Sequence, residues 1–108
     1  MAHYLVQASY APETIATLVK TPEDRAAAVR RLAQSMGGRV EAFYFAFGDY
    51  DVVAIAEVPD NVTMAALSMA VSGSGAFKTF KTTVLIPMNE AVEAMRKAGT
   101  IGYRPPGG

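Results

Sequence analysis

Cysteine is absent from the 108 residues. Its absence excludes disulfides, thiolate nucleophiles and iron–sulfur ligation within the chain. Histidine occurs once, at His3. A metal centre built by one chain would therefore rest on carboxylates, and neither a metal site nor a cofactor is expected. Net charge is zero, with both signs interspersed. Nucleic-acid binding needs a basic face that displaces counterions, so it is not expected. No apolar run is long enough to span a bilayer. The opening residues, Met1 to Val6, have neither a basic region nor a long apolar run, so the expectation is a cytoplasmic protein with no membrane partner. Charged residues make up 19% of the chain and apolar ones 51%, whereas a typical soluble domain is about 25% charged. That shortage of charge implies more buried surface than one copy of this size provides by itself.

What is present is concentrated in one stretch, Phe43 to Ala56. Five of the ten aromatics fall there: Phe43, Tyr44, Phe45, Phe47 and Tyr50. Aromatic and β-branched residues on both sides of Gly48-Asp49 predict a hairpin, with strands over about 39–47 and 50–58. Gly48 is suited to a positive φ, and Asp49 to a turn in which its side chain bonds nearby backbone.

The flanking chain supplies the other elements. His3 to Tyr10 alternates as a first strand, with Tyr4, Val6, Ala8 and Tyr10 on one face. Pro12 opens a short helix whose apolar face is Ile15, Leu18 and Val19. Thr21-Pro22-Glu23-Asp24 opens a second helix with Thr21 as its cap, and the two pieces read as one bent crossover ending at Gly37. After Pro59, Asp60 or Asn61 caps a helix with Val62, Ala65, Ala66 and Met69 on its buried face, and Ser72-Gly73-Ser74-Gly75 ends it. A fourth strand covers about 77–86. Met88, Ala91, Val92 and Met95 then mark a last amphipathic helix that stops at Gly99.

The expected fold is α+β, a ferredoxin-like βαββαβ with an extra C-terminal helix. Its four-stranded antiparallel sheet has helices on one face. One domain is expected over 1–99, with a Pro/Gly-rich tail over 100–108. Both faces of the hairpin strands are apolar, which a sheet with one wet face does not need. Self-association through the open face is therefore expected, as a homodimer or a higher homo-oligomer.

Gly48-Asp49-Tyr50-Asp51 followed by Val52-Val53 resembles the signature of the GYD domain family. The lead-in from Gly37-Gly38 to Phe43-Tyr44 is similar to that family's, as is Tyr4-Leu5-Val6 at the start. The resemblance spans about residues 3–86 and leaves the final helix outside. It implies a ferredoxin-like domain of the dimeric α/β-barrel type and says little about activity.

Candidate ligand-binding residues are Tyr44, Tyr50, Asp51 and His3, while Gly48 and Asp49 are assigned to the turn. Asp49 and Asp51, if on one face, would form a paired-carboxylate base; the plainer reading is two solvated aspartates. His3 reads as a surface or interface residue; an acid–base or haem-ligand role is the alternative raised by the resemblance. Three functions stay open: a homo-oligomeric protein binding a small molecule, a cofactor-independent enzyme acting on an aromatic or polyketide-like compound, and a structural or regulatory interaction module. A dry pocket of alanine and phenylalanine favours binding alone; a polar pair facing the pocket favours the enzyme.

Overall fold

The computed structural model describes residues 1–108. In chain order the elements are β1 (Ala2–Tyr10), α1 (Pro12–Lys20), α2 (Arg25–Ser35), β2 (Arg39–Phe45), β3 (Val52–Val58), α3 (Asn61–Gly73), β4 (Phe77–Leu85) and α4 (Met88–Ala98). The strands form one sheet in the order β2-β3-β1-β4, with every pairing antiparallel. This is the α+β arrangement the element order implied, and it is consistent with a ferredoxin-like fold.

Alternation along β1 sets the two faces. Tyr4, Val6, Ala8 and Tyr10 are buried towards the helices, while His3, Leu5, Gln7 and Ser9 lie half-buried on the open face. From β3, Val52, Ala54 and Val58 join the buried side. Met64 of α3 closes one core cluster over Tyr4, Val6, Ala54 and Val58. A second cluster, Ala8, Tyr10 and Val52, is covered by Ile15 and Leu18 of α1 and by Phe77. Phe43 and Phe80 pack against both clusters. The Tyr10 and Phe77 rings stack at 4.7 Å, and Phe77 meets Phe80 edge to face at 5.5 Å, both favourable aromatic geometries.

Several details differ from the sequence reading. The crossover is two separate helices, and the cap of α2 is Asp24 rather than Thr21: its carboxylate accepts from the Ala26 N–H at 2.9 Å. Val19 points outward and is 75% exposed. On α3 the expected buried face is the wrong one. Val62 and Met69 are exposed, whereas Met64 is buried and Leu67, Ser68 and Val71 are half-buried. The cause is compositional, since α3 carries no charged residue (Asn61 to Gly73) and apolar periodicity could not choose between its faces. Asp60 caps α3 as expected, accepting from the Thr63 N–H at 2.8 Å and the Thr63 hydroxyl at 2.7 Å.

The hairpin connection is longer than a tight turn. β2 ends at Phe45 and β3 begins at Val52, and Gly48 takes the positive φ expected of it, +150°. Leading into the hairpin, Gly38 serves close approach: a Cβ there would stand 2.2 Å from the Glu57 carbonyl oxygen. A bulge then interrupts β2. Val40 pairs with Ala56 and Ala42 with Ile55, which leaves Glu41 as the extra residue.

The last helix sets the overall shape. α2 packs on β2, and α3 on β3 and β4, but α4 buries no residue. Met88 and Met95 on its apolar stripe are 69% and 64% exposed. The radius of gyration is 17.5 Å and the longest dimension 58 Å, against about 13 Å for a compact chain of this length. No helix is long and apolar enough to cross a membrane.

Candidate functional site

Small residues on the helix-facing side of the sheet create a cavity. Ala8, Ala54 and Ala56 form part of its floor, where longer side chains would have filled the space. Phe43, Phe77 and Phe80 make its walls. Val29, Leu32 and Ala33 from α2, with Met64, Leu67 and Val71 from α3, make its roof. The volume is about 120 Å³. Among the lining side chains only the Tyr10 phenol and the Arg25 guanidinium carry a polar group.

Both belong equally to a second, more open groove of about 340 Å³, which has Glu23, Asp24, Leu18 and Phe45 along its sides. Tyr10, Arg25 and Phe43 line both, and thus stand between an apolar chamber and a more polar vestibule. Arg25 is held by Glu23 at 2.6 Å. That contact raises the guanidinium's pKa further, with burial opposing the rise. Burial pushes the Tyr10 phenol above its ordinary value; Arg25 opposes this, and the carboxylates of Asp51 and Glu23 add to it. Tyr10 is therefore a neutral hydrogen-bond donor at neutral pH. The chamber wall holds no carboxylate, imidazole or aliphatic hydroxyl, so it offers apolar contact and one polar end rather than a general base.

Tyr44, Tyr50, Asp51 and His3 are not among the residues that line this chamber. Tyr44 stands on the open face opposite Val53, 70% exposed. Tyr50 is half-buried in the hairpin connection. Asp51 joins that connection to the end of β1: its Oδ2 accepts from the Tyr10 N–H at 3.0 Å, and its own N–H donates to the Ala8 carbonyl at 2.8 Å. It thereby positions Tyr10 at the chamber's mouth. Asp49 contributes its backbone carbonyl, which accepts from the Ser9 hydroxyl at 2.9 Å.

His3 gathers a separate cluster on the open face. Its Nδ1 lies 2.9 Å from Glu41 Oε1 and its Nε2 3.3 Å from Glu57 Oε1. Arg39 pairs with Glu57 and reaches Glu41 at 3.9 Å. Of these two groups, only His3 is among the residues the sequence singles out. Tyr10 could have been suspected, because β1 alternation puts it on the buried face. Arg25, Glu41 and Glu57 become neighbours of their partners only through helix packing, strand register and the bulge.

The GYD domain profile matches residues 4–95, so the match runs through most of α4, which the motif resemblance had left outside. A protein of Thermus thermophilus, named glutamine synthetase and cystathionine beta-lyase binding protein, is 29% identical over 96 residues, covering 89% of this chain and all of that protein. Two solved structures are similar at lower identity. The crystal structure of FFRP-DM1 shares 16% identity and a TM-score of 0.45, over 80% of this chain and 100% of that one. The hypothetical protein PHS023 from Pyrococcus horikoshii shares 15% and 0.48, over 81% and 92%. With the profile matched over most of its length, the chain belongs to the GYD domain family.

Proposed function

We propose that this protein is a self-associating binding protein that holds a small apolar molecule in the chamber between sheet and helices. The observation carrying this reading is the chamber itself, whose walls are apolar except for Tyr10 and Arg25 at one end. Pockets for small molecules have this make-up, mostly apolar with few polar groups to fix orientation. An apolar cavity of about 150 Å³ stays dry and takes up benzene or xenon. At about 120 Å³ this chamber is of similar scale, and the vestibule beyond Tyr10 extends it. Benzene is therefore a suitable probe, read by chemical-shift changes in the core methyl groups. Ala54→Leu, which adds three carbons to the floor, should abolish those changes while the far-ultraviolet circular dichroism stays that of the wild type. Unchanged methyl shifts in the wild-type protein at saturating benzene would refute the reading.

Self-association rests on surface area. The chain exposes 7545 Å², whereas a compact monomer of its mass exposes about 5,800 Å². The excess of about 1,700 Å² is more than the roughly 800 Å² that each partner buries in a standard interface. Leu5, Val53 and Ile55 on the open face, and Met88, Val92 and Met95 on α4, are apolar residues that a second copy would cover.

A second reading is an interaction module for other enzymes. It is favoured by the Thermus relative, whose name states that it binds glutamine synthetase and cystathionine beta-lyase. Co-elution with purified glutamine synthetase on size exclusion would support that reading, and separate elution would count against it.

A further inference from the structure

We propose that His3, Glu41 and Glu57 form a binding site for a borderline divalent cation, with Zn²⁺ the best match. Three strands contribute to it. His3 of β1 stands directly opposite Glu57 of β3 in the register. Glu41 is the extra residue of the β2 bulge, a device that re-aims a side chain out of the regular ladder. Here the bulge brings a second carboxylate to the only imidazole in the chain. One potential donor atom from each of the three residues lies within 4.8 Å of the other two. Ligands at zinc distances of about 2.0–2.2 Å sit roughly 3–4 Å apart, so sub-ångström to ångström side-chain movements close the set. His3 and Glu41 keep 28% and 30% of their side-chain surface exposed, which leaves a path for the ion and room for water ligands.

The charge balance supports a cation. Two carboxylates meet one guanidinium around the imidazole, so the two acids outnumber the one fixed cation. Arg39 is 65% exposed and free to swing into solvent. With Arg39 withdrawn, a divalent ion neutralises both glutamates. An imidazole nitrogen with two carboxylate oxygens is a donor set suited to zinc, whereas magnesium prefers oxygen ligands alone. A protonated His3 bridging the two carboxylates is the competing arrangement, in which no metal is needed.

Isothermal titration of ZnCl₂ into the full, tag-free chain separates the two. The expected result is one saturable Zn²⁺ per chain, with no comparable heat from MgCl₂. His3→Gln and Glu57→Gln should each weaken binding at least tenfold, with far-ultraviolet circular dichroism confirming that both variants fold. Arg39→Gln should tighten it several-fold, because Arg39 competes with the ion for Glu57. No saturable zinc binding, or zinc binding that His3→Gln leaves unchanged, overturns the site.

Discussion

Replacing Ile55 with lysine tests self-association most directly. Ile55 lies in the middle of the open sheet face, between Leu5 on β1 and Ala42 on β2. Its side chain points away from the helices, so the substitution leaves the Tyr4–Met64 and Ala8–Val52 clusters untouched. A standard interface buries about 800 Å² per partner, some 57% of it apolar. At about 25 cal/mol per Å² that is roughly 11 kcal/mol per copy and about 23 kcal/mol for a pair. Association and side-chain ordering oppose it with a cost of the same order, at least about 4–15 kcal/mol for lost translation and rotation. The net affinity is thus a small difference that a few kcal/mol decides.

In a two-fold pair the substitution counts twice. Each lost isoleucine contact removes about 1.5–3 kcal/mol of burial, and two like charges are placed in a face that excludes water. The expected total is at least about 3 kcal/mol, or more than a hundredfold in the dissociation constant, before the charges are counted. Light scattering after size exclusion at micromolar concentration should give a multiple of 11.5 kDa for the wild type and the monomer mass for Ile55→Lys. A monomeric wild type would refute the area argument. A variant that keeps the wild-type mass would move the contact off the open face, with α4 and the outer side of α3 as the remaining apolar surfaces.

Two further outcomes are expected. Gly48→Val places a β-branched residue at a φ of +150° where nothing else obstructs the side chain, so the cost is backbone strain alone, about 1–3 kcal/mol; thermal unfolding should fall by several degrees, and an unchanged midpoint would show that the loop relaxes freely. Asp60→Ala removes the cap of α3. Hydrogen bonds from Thr63 hold the Asp60 carboxyl below its ordinary value, so its contribution is present above the unfolded-state value of about 3.9 and is lost as pH falls through the depressed folded value. The stability gap between wild type and variant, measured in urea, should be full at neutral pH and narrow in acid; a gap constant down to about pH 2 would refute the link.

The fold was largely legible because its signals are local. Alternation in β1, the glycines after α2 and the capping Asp60 each act within a few residues. What escaped the sequence was decided at longer range. α3 has apolar residues on every side, so only the sheet beneath it selects Met64, Leu67 and Val71 over Val62 and Met69. The β2 bulge has no signature in Arg39-Val40-Glu41-Ala42, yet it determines which way Glu41 faces. The hairpin's aromatics point to Tyr44 and Tyr50, whereas the chamber takes its walls from Phe43, Phe77 and Phe80, and its emptiness from three alanines. A pocket of alanine and phenylalanine is readable in outline, but not which alanines line it, because a missing side chain becomes a cavity only when the opposing helix also stays back.

The same geometry would link the proposed assembly to the proposed binding. Only nine residues of this chain are buried, and part of the space between its layers is empty rather than packed. Unfilled volume costs stability in proportion to its size, about 24 cal/mol per Å³ in buried-leucine truncations, or roughly 3 kcal/mol for a chamber of this size. An isolated copy is thus short of burial on both sides of its sheet: the helix side has a void, and the open side faces water. Whatever fills the void stabilises the folded state by mass action, and so does whatever covers the open side. The two layers meet through single strands. Tyr4, Val6 and Ala8 face the helices, while His3, Leu5 and Gln7 of the same strand face outward. If copies pair through the open face and a molecule enters the chamber, as proposed, the two would act on the same strands, and benzene should lower the dissociation constant of the pair measured by light scattering; an unchanged constant would refute the link.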